Sequence, residues 1–123
     1  MGWTAYAIKE DKSISLPLEE LEHFQSRAAE VCRAVHTVDG TFAQGALSLS
    51  LAKKVLERAV GFPIDDGIWG PGFVEKALAQ LAEADMAGLA DDEGDPIEGK
   101  YIVGVQAFLE VCADRGLGVR FYP

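Results

Sequence analysis

Polar and apolar residues alternate along 3–8, Trp-Thr-Ala-Tyr-Ala-Ile, and again along 12–16, Lys-Ser-Ile-Ser-Leu, with the polar pair Glu10-Asp11 between them. Alternation places successive side chains on opposite faces, so the pattern predicts two short strands joined as a hairpin. Residues 118–122, Gly-Val-Arg-Phe-Tyr, alternate once more and put Val119 and Phe121 on one face, Arg120 and Tyr122 on the other. A hairpin alone is marginal in water, so the C-terminal strand is expected to join it in a small antiparallel sheet.

The spacing between these ends changes to three and four, which predicts about four helices. Leu18, Leu21, Phe24, Ala28, Val31, Cys32, Val35 and Val38 mark the first, opening near Pro17 and closing at Gly40. The second is predicted from Ser48 or Ser50 through Leu51, Val55, Leu56 and Val60 to Gly61, although Leu47 to Leu51 also alternates as a strand would. A third begins at Pro71 or shortly after and carries Val74, Ala77, Leu78, Leu81 and Met86. The fourth has Asp95 as N-cap, Pro96 at its first position and Glu98 three residues after the cap. It continues through Tyr101, Ile102, Val105, Phe108, Leu109 and Cys112 to Gly116. The expected fold is therefore α+β, with residues 1–123 as a single domain, since no linker or internal repeat divides the chain.

Charge narrows the function classes. Twenty Asp and Glu face eleven Lys and Arg, for a formal net charge of −9. Such a chain repels phosphate backbones and anionic lipid surfaces, so neither nucleic acid nor membrane is an expected partner. A basic protein would be attracted and steered. No run approaches the roughly 18 apolar residues of a membrane span, and the N-terminal residues lack the basic then apolar order of a secretory signal, so a cytoplasmic location is expected.

Catalytic and metal-binding patterns are weak. His23 and His36, the two histidines, lie too far apart on one helix to share an ion. Cys32 and His36, four apart, could meet on a helix as thiol and base, but no third orienting group can be named. Cys32 and Cys112 fall in apolar helical stripes and read as reduced, buried thiols. Asp91, Glu93 and Asp95 match the first positions of a calcium loop, but Pro96 and Ile102 stand where that loop needs glycine and glutamate. No metal, cofactor or catalytic group is expected, although an enzyme whose site is shared between subunits stays open at this point.

Two segments stand out as recognition elements. Residues 83–98 hold seven carboxylates (Glu83, Asp85, Asp91, Asp92, Glu93, Asp95, Glu98) and neither Lys nor Arg. This segment reads as a solvated inter-helix loop or, with Asp91, Asp92 and Glu93 at its centre, as a docking patch for a basic partner. The second is Gly61-Phe62-Pro63-Ile64-Asp65-Asp66-Gly67-Ile68-Trp69-Gly70-Pro71, where Trp69 is the candidate contact residue because it sits among glycines outside any periodic face. Trp3, Phe62 and Phe73 are further candidate contacts.

The run Asp66-Gly67-Ile68-Trp69-Gly70-Pro71 resembles the turn of the small three-helix peptidoglycan-binding modules, with a helix before and after, over about residues 51–81. Gly72-Phe73 then departs from the single residue and threonine usual in that family. The resemblance implies a glycan-binding turn at 61–71. Size, charge and the lack of a catalytic constellation favour a different expectation, a small acidic protein of the inhibitor or immunity type that binds a basic protein.

Overall fold

A computed structural model of the chain describes residues 4–9, 12–13, 16, 32–36, 42–48, 52–61, 63–65, 67–83 and 99–122. Strand β1, Thr4–Lys9, is the centre of the sheet. Both of its faces are covered: Ala5 and Ala7 point into the main core, and Tyr6 packs on the reverse face with Ala46 and Tyr122. This two-sided burial explains why small and aromatic residues alternate there.

The remaining strands follow from pairing with β1. The C-terminal strand β6, Gly118–Tyr122, lies antiparallel along one edge of β1 over five positions, Thr4 opposite Tyr122 through Ile8 opposite Gly118. The other edge of β1 is shared. β4, Phe42–Ser48, pairs at Thr4 and Ala5, and β2, Lys12–Ser13, pairs at Ile8 and Lys9. β3, Cys32–His36, pairs with β4, and β5, Gly67–Trp69, pairs with β6, giving the order β3-β4-β1-β6-β5.

Three helices lie among the described residues, not about four: α1, Ala52–Val60; α2, Pro71–Glu83; and α3, Gly99–Asp114. They cover one face of the sheet. Val55 and Leu56 of α1, Val74, Ala77 and Leu81 of α2, and Val105, Phe108, Leu109 and Cys112 of α3 meet Ala5, Ala7, Leu47, Val119 and Phe121 in one core, which Leu16 also enters. The third-and-fourth spacing that predicted these helices is the spacing of their buried residues.

The first predicted helix is corrected at its C-terminal end. Cys32–His36 is a strand whose Cys32 stands opposite Leu47 and whose Val35 stands opposite Ala43, with an irregularity between Arg33 and Val35. The apolar residues at 31, 32, 35 and 38 fit helical spacing, but a short run is ambiguous, and the partner strand beyond Gly40 decides it. The rest of that prediction, 17–31, lies outside the described residues. The second predicted helix starts later than expected: Ser48 closes β4, so the alternation at 47–48 belongs to a strand and α1 opens at Ala52. The Asp95 cap and Pro96 of the fourth prediction lie outside the described residues.

Candidate functional site

Two local devices set the position of the Gly61 to Pro71 connection. Gly61 ends α1 at φ 80, and its amide donates to the Glu57 carbonyl at 2.8 Å. Glu57 then reaches past the helix end: the Ile64 amide donates to its carboxylate at 2.8 Å, and Lys53 lies 3.9 Å from the same oxygen. Beyond the turn, the Gly70 carbonyl accepts from Val74 at 3.0 Å, so α2 begins directly at Pro71. Gly72 and Phe73 are inside the helix and do not separate Pro71 from it.

Between these devices the chain forms a strand. β5 pairs with β6, Gly67 opposite Phe121, Ile68 opposite Arg120 and Trp69 opposite Val119. Trp69 therefore faces the helices. It is 9% exposed, with its ring centre 4.7 Å from that of Phe121 and 4.9 Å from that of Phe73. The expectation of a Trp69 contact residue in a loop is corrected to this extent: the residue is in a strand and its ring is in the core. Phe73 is half-buried against the same core, whereas Trp3 and Phe62 lie outside the described residues.

The neighbour that Trp69 displaces outward is Ile68, which is 48% exposed. It borders a cleft of about 360 Å³ at the end of the sheet beside the start of α2 and the turn after α3, lined by Ile8, Lys9, Ile68, Trp69, Gly70, Pro71, Gly116 and Gly118. Gly118 makes the cleft possible. A Cβ there would stand 2.6 Å from the Trp69 carbonyl oxygen and 3.3 Å from Ile8, so only glycine lets β5 approach β6 so closely.

One cation, Lys9, lines the cleft. Arg120 lies directly opposite both Ile68 and Tyr6, hence on the same face as these two, and is not part of the cleft lining. The Arg120 guanidinium carbon sits 4.6 Å from the centre of the Tyr122 ring, and its Nε is buried without an acceptor. Tyr6 meets Tyr122 edge to face at 5.9 Å. Burial, and then the neighbouring Tyr122, push the Tyr6 phenol above its ordinary pKa of 10.0, so it stays neutral at physiological pH.

Asp91, Asp92 and Glu93 lie outside the described residues. The helices that bracket them are described. Pro71 at the start of α2 lines the cleft, and the 13 residues of α2 put its other end, Glu83, about 20 Å along the helix axis.

Cys112 is fully buried and forms no disulfide, as its apolar stripe predicts. Cys32 is on a strand, and there the four residues to His36 span about 13 Å of backbone instead of one helical turn, which removes the geometry that would bring thiol and imidazole together. Among the described residues no group of three or more His, Cys, Asp or Glu is placed to hold a metal ion. No described helix is long and apolar enough to cross a membrane. No protein-family model, curated protein or solved structure matches the chain.

Sequence reasoning missed Ile8, Lys9, Ile68 and Gly118 as a group, because their proximity depends on pairing across the sheet.

Proposed function

We propose that this protein is a non-catalytic recognition protein that binds a basic protein partner, as a small acidic inhibitor or immunity-type protein does. One observation carries the reading: a net charge of −9 in which residues 83–98 contribute seven carboxylates and no cation. Close opposite charges speed encounter and fix orientation, and like charges exclude competing partners. Asp91, Asp92 and Glu93 form the docking patch, on the segment that joins α2 to α3 in the sequence.

The test is binding kinetics of the wild type and of the Asp91→Asn, Asp92→Asn, Glu93→Gln triple variant against a protein that co-purifies from the native host. Lost steering charges should slow association at low salt and flatten its salt dependence, because exposed charges are screened over about 8–10 Å at ordinary ionic strength. Equal association rates for the two proteins at low and at high salt remove the segment from the interface.

A second reading, a glycan-binding module, is favoured by the cleft that opens at Ile68 to Pro71 within the turn that resembles the peptidoglycan-binding modules. Co-sedimentation with insoluble cell wall, lost in Ile68→Asp, supports it. Absence of the protein from the pellet removes it.

A further inference from the structure

We infer that β5 is a movable wall of the cleft and that the Glu57 carboxylate is the latch that holds it against β6. The cleft has a fixed side and a hinged side. Ile8 and Gly118 stand opposite each other in the five-position pairing of β1 with β6, which builds the fixed side into the middle of the sheet. Ile68 and Trp69 line the cleft from β5, which pairs over three positions and lies at the end of the strand order. A strand that short, at the end of a sheet, belongs to the elements that open locally while the core stays closed.

Besides its pairing, β5 is tied down by side chains at both ends. Trp69 packs its ring on Phe121 and Phe73, and Ile64, 3% exposed, enters the same core three residues before the strand. The tie at Ile64 also has a polar part. Glu57 belongs to α1, yet its carboxylate accepts the Ile64 amide at 2.8 Å across seven positions of chain. That bond spans the turn that Gly61 opens with its φ of 80, so it sets where the chain stands as it enters β5. A part-buried amide without this charged acceptor is left unsatisfied, and the Ile64 anchor loosens with it. The end of α1 is thereby coupled to the cleft through Ile64 and Ile68. A ligand that needs the wall displaced would in turn favour release of Glu57, because coupling between two sites is reciprocal.

Native-state hydrogen exchange of the full chain, followed by amide NMR, tests both parts. In the wild type the Ile64 amide and the hydrogen-bonded amides of β5 should share one protection factor, about tenfold or more below that of Phe108 and Leu109 in α3, because the wall opens while the core stays closed. Glu57→Met should lower the protection of β5 by about a further tenfold, as loss of a hydrogen bond to a charged group implies. Glu57→Gln keeps an acceptor oxygen and should return most of that protection. Lys53→Met removes the 3.9 Å ion pair with Glu57 and leaves the Ile64 bond, so it should change β5 far less, as exposed pairs are worth little. If Glu57→Met gives no folded spectrum, Glu57→Asp, one methylene short of Ile64, carries the comparison. Protection of β5 equal to that of α3 in the wild type overturns the movable wall. Wild-type exchange across β5 in Glu57→Met overturns the latch, since the strand then opens with the bond intact, and so does a loss in Lys53→Met as large as in Glu57→Met.

Discussion

Glycines with different surroundings should respond to alanine with opposite signs. At Gly118 the added methyl meets the Trp69 carbonyl, which is backbone and cannot rotate away, so Gly118→Ala must part β5 from β6. A loss of about 1–3 kcal/mol in urea unfolding is expected, the usual range for an overpacked core. Gly72 has open space around it inside α2 and no positive φ, so Gly72→Ala should gain about 0.4–1 kcal/mol by restricting the unfolded chain. Tyr6 gives a pH signature. Its phenol is raised above 10.0 in the folded state, so unfolding releases a proton more readily. The stabilisation is complete below pH 10.0 and is lost as pH rises through the folded value. Tyr6→Phe should remove that alkaline decline, which thermal unfolding between pH 8 and 11 would detect as about equal slopes if Tyr6 does not contribute.

The turn after α3 shows how a helix end aims a strand. The Gly116 amide donates to the Ala113 carbonyl at 3.2 Å and the Leu117 amide to the Cys112 carbonyl at 2.8 Å, with Gly116 at φ 67. This pair of bonds satisfies the last carbonyls of the helix while Leu117 turns back into the core beside Cys112. Because an L side chain in that conformation costs about 1–2 kcal/mol, Gly116→Ala should lower stability by that amount, measured by the denaturation midpoint. An unchanged midpoint would show that the turn relaxes without the left-handed residue. Gly116 was legible in advance as a helix stop, and so was Pro71 as a helix start, because both act through their own backbone. The hairpin of β3 and β4 was not. Its apolar residues fit two periods, and only pairing across residues 37–41 selects the strand.

At the level of the fold, β6 ties distant parts of the chain together, lying between β1 and β5 and giving Val119 and Phe121 to the core. A chain ending at residue 117 should therefore lose cooperative unfolding, as followed by circular dichroism against temperature, since β5 and one edge of β1 are left unpaired. Retention of a sharp transition would show that the helices and β1 suffice. The α+β class, the strands at both ends, helices α2 and α3 and the burial of Cys112 were all legible in the sequence, because each follows from a period or a capping residue within one short window. The acidic segment is likewise a property of composition. What needed the tertiary structure is whatever depends on a partner far along the chain. The pairing of Gly67 with Phe121 turned a glycine-rich stretch into a strand, moved Trp69 into the core and left Ile68 outside. Together with the pairing of Ile8 and Gly118 it brought Ile8, Ile68 and Gly118 to one cleft. A local pattern records which face a residue prefers, whereas the choice of neighbour across a sheet is made by the free energy of non-local packing.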